Sequence, residues 1–354
     1  MASPIVQAVL IHGFRLAVLT SSAGLEGLFV PRRLFLQCAQ AALFSIALAP
    51  LAALTQEASW PQKSVRIVVP FAAGGSSDAL GRIVAQGLTE IFKQPFVIEN
   101  RGGAGGVLGS NMVAKLPADG YTLVVSGVAS HVIAPLENPK ALEPIKDFTH
   151  IAILGGPPIA LAVNAGIAPT DVKSFIQYAK NEPKGVSWGS PGQGTHGYLI
   201  GEAFEVLTKT PMQHIAYKGA APAVADLVAG HIPASFTTLS TAATQVQAGK
   251  VRILAVSSAK RLPMFPQVPT FTELGYPTLT GITWFSLSGP AGMPADVVTR
   301  LNAAVRKIMH SSHAQEQLAK ASMETYDFDV PRFNQFILAE LKQWAPMVKQ
   351  VKSD

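Results

Sequence analysis

From Val65 onward, short unbroken apolar runs alternate with stretches whose apolar residues recur every three or four positions. Val65-Arg66-Ile67-Val68-Val69-Pro70-Phe71 reads as a buried strand; Leu80, Ile83, Val84, Leu88, Ile91 and Phe92 then fall on one helical face. Phe96–Asn100 predicts a second strand, Val107, Leu108 and Met112 a short helix, and Asp119-Gly120 a turn into a strand over 121–125. Strand, glycine turn and helix in repeated order imply βαβ units. After 151–154 the chain runs through Gly155-Gly156-Pro157-Pro158 into the apolar run 159–163, so two strands meet at a hinge-like break. Further strands are predicted near 186–188, 213–217, 234–237 and 252–256, a returning strand at 284–290, and helices from about Ala295 and Pro331. The last helix carries Phe333, Phe336, Ile337, Leu341, Trp344 and Val348, a stripe that needs a sheet to cover. The expected fold is α/β with two lobes, each a mainly parallel sheet flanked by helices. Lobe 1 is expected over 59–161 plus 283–354, with the terminal helices packed on it, and lobe 2 over 162–282.

The segment 1–58 has a different character. Arg32-Arg33 precedes an apolar run from Ala39 to Leu54 and then small residues, the layout of an export signal with cleavage near Ala53 or Ala58. Arg32-Arg33-Leu34-Phe35-Leu36 is similar to a twin-arginine signal, although Pro31 and Gln37 depart from the usual pattern. The alternative is one membrane anchor, but the run is shorter than the ~20 residues a span needs. Cys38, the one cysteine, lies in this segment, so a mature chain lacks disulfide, thiol and Cys-metal chemistry. The 28 basic against 22 acidic residues are spread along the chain without a basic and aromatic stripe, which suits small anions and not nucleic acid.

Two glycine-rich loops carry the candidate chemistry. Ser190-Pro191-Gly192-Gln193-Gly194-Thr195-His196-Gly197 contains G-x-G-x-x-G after a strand. A dinucleotide site also needs an acidic residue about 20 positions on, and His214-Ile215-Ala216-Tyr217-Lys218 has none. What remains is either a small anion on the amides of a helix beginning near Thr195 or a plain strand-to-helix turn. His196 is a ligand contact or a solvated loop residue; His131, after Ser130, is a weaker candidate. Phe71-Ala72-Ala73-Gly74-Gly75-Ser76-Ser77-Asp78 repeats the arrangement in the first lobe, with Asp78 expected to cap the helix. Two such ends facing one cleft would hold a small acid from both sides. No G-x-S-x-G elbow or H-E-x-x-H spacing occurs, so no catalytic residue, metal ligand or cofactor is assigned.

PFAAGGSSD (70–78), VIENRGGAGG (97–106), PADGYTL (117–123), KDF (146–148), YKGAAPAVADLVAG (217–230), AGKVRILAV (248–256), VPTFTELG (268–275) and GPAG (289–292) occur in this order. Together they resemble the Bug-type extracytoplasmic solute receptors of tripartite tricarboxylate transport systems. The resemblance implies a two-lobed periplasmic binding protein fold and a small organic acid held largely by backbone donors and ordered water. It points to Phe71, Ala73, Gly74, Gly75 and the adjoining Ser77; to Ser126, Ser130 and His131; to Ser190, Gly194, Thr195 and His196; and to Tyr217, Lys218 and Gly219. It also implies a periplasmic monomer, without enzymatic activity, that serves membrane permease subunits. An exported ligand sensor, or an exported hydrolase or isomerase, are the alternatives. Relatives often carry Asp around the strand ending in Phe236, where this chain has Pro233 and Thr237, and His is common where Tyr198 stands. An Asp would attract an ammonium and repel a second carboxylate by roughly 4 kcal/mol at about 4 Å and intermediate dielectric. Thr237 removes both effects, so mono- or dicarboxylates, aromatic ones included, are expected to bind better than amino acids, unless Thr237 is a core residue, as a β-branched side chain in a strand often is.

Overall fold

The computed structural model describes residues 60–138, 140 and 142–353; Arg32-Arg33, Cys38, Ala53 and Ala58 lie outside them. Among the described residues ten strands build two five-stranded sheets. The first has the order β2 (Phe96–Asn100), β1 (Val65–Val69), β3 (Thr122–Gly127), β10 (Phe285–Pro290), β4 (Phe148–Gly155). The second has the order β7 (Met212–Ala216), β6 (Val186–Ser190), β8 (Ala234–Thr238), β5 (Ile159–Asn164), β9 (Val251–Val256). Helices of eight residues or more are α1 (Ser76–Phe92), α2 (Val107–Ala114), α3 (Val172–Asn181), α4 (His196–Thr208), α5 (Ala220–Ala229), α6 (Leu239–Gln247), α7 (Ala295–Met309), α8 (Ser312–Lys320) and α9 (Val330–Ser353).

The sheets are mixed, and in each four of the five strands run in one direction and one is reversed. β1 pairs in parallel with β2 and β3, while β10 runs antiparallel to both β3 and β4. The second sheet repeats this: β6 is parallel to β7 and β8, and β5 is antiparallel to β8 and β9. The reversed strand is in each case the one that arrives from the other sheet. A helical crossover returns the chain to the start of a sheet and yields a parallel neighbour. β5 and β10 instead start at the crossing, beside the carboxyl ends of their neighbours: Ile159 pairs with Thr238, and Phe285 with Gly127. β5 pairs with strands of the second sheet from Ile159 on, three residues before the boundary expected after 161.

At the crossing three passes of chain lie side by side. Gly156 and Glu324 exchange backbone hydrogen bonds of 2.9 Å in both directions, and the Thr283 amide donates to the Pro157 carbonyl at 2.9 Å. A Cβ at Gly155 would overlap the Glu324 carbonyl, and one at Gly156 the Thr283 carbonyl, so the approach requires glycine.

α9 buries Phe333, Ile337, Trp344 and Val348, as its stripe requires. Its cluster holds Val128 and Ile153 of the first lobe together with Leu199, Ile200 and Trp188 of the second. The helix therefore packs across both lobes instead of on lobe 1 alone. Each such side chain stabilises by about 2 kcal/mol relative to exposure. The Trp284 and Trp344 indole N–H groups both donate to Glu340 Oε2, at 2.7 and 3.2 Å. Burial pushes the Glu340 carboxyl up, and the two indoles only partly offset this.

Three histidines are buried neutral: burial lowers His150 to about 4, His196 to about 3 and His131 well below its usual value. The unfolded chain, with imidazoles near ~6.5, binds more protons over the intervening window, so stability rises with pH there and falls as pH drops below ~6.5. Urea unfolding should show a lower midpoint at pH 5.5 than at pH 7.5, from a loss of unfolding free energy of at most about 1.4 kcal/mol per pH unit for each histidine. Equal midpoints would contradict the buried, neutral assignment.

Candidate functional site

The turn after β1 delivers the chain to the N-terminus of α1. Gly74 sits at φ 85°, a left-handed conformation open to glycine, and its N–H donates to Asp78 Oδ2 at 3.0 Å. Asp78 also accepts from Arg82 Nε at 2.9 Å and Asn100 Nδ2 at 3.0 Å. Burial alone would raise this carboxyl, but the three donors outweigh it and hold Asp78 below the usual carboxylate range. Asp78 thus ties the loop from within the first turn. The amides of Ser76 and Ser77 have no acceptor inside the helix.

α4 starts in the same manner from the second lobe. Thr195 Oγ1 accepts from the Tyr198 amide at 3.3 Å and donates to the Gly192 carbonyl at 2.6 Å. First-turn amides of His196 and Gly197 are left over. At Gly197 a Cβ would overlap the Phe236 carbonyl, so glycine lets the helix end reach β8.

Both helix ends line one cavity of about 40 Å³ between the lobes. Ser76 and Ser77 of α1 line it with the preceding Gly75, and His196 and Gly197 of α4 with the preceding Thr195. Among the described residues no Lys, Arg, Asp or Glu lines it. An anion there would be compensated by oriented amides and by the partial positive charge of two helix N-termini. A water needs roughly 10–15 Å³, so a ligand beyond a few heavy atoms requires the lobes to move apart.

The lobes are held together by contacts at the mouth. The Ala72 amide donates to the Lys218 carbonyl at 2.9 Å. Ser76 Oγ lies 2.7 Å from Thr238 Oγ1, 2.7 Å from Ser240 Oγ and 3.2 Å from Thr241 Oγ1. Gly105, at φ 59°, lies so close to Gln193 that a Cβ would overlap its carbonyl oxygen.

Of the residues expected at the site, Phe71, Gly75, Ser77, Ser126, Ser130, Thr195 and His196 line the cavity. His196 is not a solvated loop residue: its ring is 1% exposed, packs edge-on to Trp344 at 4.7 Å, and its Nδ1 lies 2.9 Å from Thr283 Oγ1. The others serve elsewhere. Ala73 and Gly74 are exposed in the turn. Ser190 Oγ bonds His214 Nε2 at 2.7 Å and accepts from the Gly192 amide, which shapes the α4 loop. Gly194 lies against the Glu137 carboxylate. The Tyr217 hydroxyl donates to Asp226 at 2.7 Å, exposed Lys218 contributes its carbonyl to the Ala72 bond, and Gly219 lies close to the Ala72 amide. His131 is in the core beside Phe148 and His150, at 4.7 and 4.9 Å between rings. Thr237 is fully buried and absent from the wall; Thr238 stands there instead, because neighbouring strand residues face opposite ways. Sequence reasoning also missed Ser76, Ala220 and Thr283 as lining residues. The consecutive hydroxyls of Ser76-Ser77 and Thr237-Thr238 were the available signal.

The model of the tripartite tricarboxylate transporter family receptor matches residues 80–352. The chain belongs to this family. It is 31% identical over 311 residues to protein BugT of Bordetella pertussis, covering 86% of this chain and 94% of that one. A Rhodopseudomonas palustris protein solved with adipate is 32% identical, with TM-score 0.79 over 83% of this chain and 99% of its own. MatC of Rhodopseudomonas palustris with bound malate is 30% identical, with TM-score 0.78 over 82% and 100%. With these neighbours the receptor family accounts for the two-lobed periplasmic binding protein fold.

The mouth contacts generate a paired test. Ser76→Ala removes hydroxyl bonds made between the lobes, and a net hydrogen bond contributes about 1 kcal/mol, so titration calorimetry should show ligand affinity reduced about five-fold. Gly105→Ala should weaken binding more than it lowers the unfolding temperature, since it obstructs closure. Unchanged affinity in both variants contradicts the role given to the mouth.

Proposed function

We propose that this protein is a periplasmic receptor that closes its two lobes on a small organic carboxylate and delivers it to a permease of the tripartite tricarboxylate type. The observation that carries this reading is the convergence of two helix N-termini, one from each lobe, on a cavity with no charged side chain. A carboxylate satisfies the leftover amides and is the charge that two positive helix ends favour. Neighbours in the family solved with adipate and with malate support the same ligand class. The sign of selectivity comes from the uncharged wall and not from Thr237. An amino acid would bring an ammonium without a partner carboxylate, at a desolvation cost of several kcal/mol. The basic-apolar-small order of 32–58 supports export, with a mature N-terminus expected near Ala53 or Ala58.

Mass spectrometry of ligand carried through gentle purification, followed by a calorimetric panel of mono-, di- and aromatic carboxylates and amino acids, tests this reading. Plain carboxylates should bind, and small-angle scattering should show a smaller radius with ligand than without. Tight binding of aspartate or glutamate with no response to plain carboxylates contradicts it.

A further inference from the structure

Behind the cavity a line of buried hydrogen bonds leads from its wall into the first lobe. Ser126, which lines the cavity, has its Oγ 2.8 Å from Ser286 Oγ and 2.8 Å from Ser288 Oγ. Ser288 Oγ lies 3.0 Å from His150 Nδ1, and His150 Nε2 lies 2.9 Å from the Pro144 carbonyl oxygen. Ser126, Ser286 and Ser288 are at most 1% exposed, and His150 is 3% exposed.

Proton positions along this line follow from what each atom can do. A carbonyl oxygen only accepts, so His150 Nε2 carries the ring proton and donates to Pro144. Burial keeps the ring neutral at pH 7, so Nδ1 is a bare lone pair. Ser288 must donate to it. With that proton used, the contact between Ser288 and Ser126 requires Ser126 to donate to Ser288. The remaining contact then has Ser286 donating to Ser126. Reversing any one of these bonds sets two lone pairs against each other at hydrogen-bond distance. Ser126 has spent its proton and one lone pair, and one lone pair remains.

We propose that Ser126 determines specificity as an acceptor whose proton is committed inward to Ser288, so that the cavity selects carboxylic acids carrying a hydroxyl over matched acids with hydrogen or a carbonyl there. This rests on the carboxylate-receptor reading above. An ammonium could also donate to Ser126, but no acidic side chain lines the cavity among the described residues to balance its charge. A hydroxyl donates without that penalty. A keto oxygen meets Ser126 lone pair to lone pair.

The test is calorimetry at pH 7.5 on protein purified from the periplasm, with two matched sets: malate, succinate and oxaloacetate, and lactate, propionate and pyruvate. In at least one set the hydroxy acid should bind at least ten-fold more tightly than the deoxy acid, and the keto acid most weakly. Ser126→Ala should bring the hydroxy and deoxy acids to within about two-fold of each other. Ser288→Ala frees the Ser126 proton and should improve the keto acid relative to the hydroxy acid, a change of order that general loosening of the site does not produce. Nitrogen-15 NMR should find the His150 proton on Nε2. Binding of the carboxylates with equal affinity within each set, or with the keto acid preferred, overturns the inference and leaves the receptor reading standing. No binding by either set also overturns the inference, and the receptor reading then falls only if the wider carboxylate panel fails as well.

Discussion

A negatively charged ligand in a closed cavity needs compensating charge, and here the backbone must supply it. The wall offers hydroxyls, one neutral imidazole, glycines and apolar groups, so the partial positive charge it can present lies at the starts of α1 and α4. Much of the local architecture follows. Asp78 occupies the Gly74 amide and leaves later ones open, Thr195 ties its own loop, and Gly197 allows the α4 end to approach β8. Each helix end belongs to a different lobe, so in the proposed reading neither half alone would hold the anion from both sides. Oriented amides cost little to reorganise when the ligand arrives, because the helices already fix them.

The same requirement gives meaning to the crossing. Carboxyl ends of strands from both sheets must face one another, as ligand sites in α/β folds demand. Strands that pass between sheets start at that edge and run away from it, which reverses β5 and β10. Three chain passes at Gly155-Gly156, Thr283 and Glu324 make a narrow connection, and α9 lies across it with apolar partners in both lobes. This amphipathic helix sets its apolar face against both lobes, and Trp284 and Trp344 of the same cluster share Glu340 as acceptor.

Strand and helix order was legible along most of the chain because buried parallel-type strands read as solid apolar runs and their helices as one-faced stripes. The pairing direction of β5 and β10 was not, since an apolar run carries no sign of direction. Glycine loops at 71–75 and 190–197 announced their helix ends, and seven of the expected residues reach the cavity. Misses have two physical sources. Thr237 against Thr238 is a one-residue shift, which in a strand exchanges core for cavity. Lys218 and Gly219 act through backbone at the lobe contact, where side-chain identity carries no information. The chain Ser126, Ser286, Ser288 and His150 joins residues up to 162 positions apart, so only the fold brings it together.

The central claim is that the amides at the starts of α1 and α4 receive the carboxylate. Amide-resolved NMR during titration with a bound carboxylate measures this most directly. The account predicts downfield proton shifts, the largest in the spectrum, at Ser76, Ser77, His196 and Gly197, saturating together with one affinity. Largest shifts at side-chain amines or at residues remote from both helix ends, with these four amides unmoved, would contradict it.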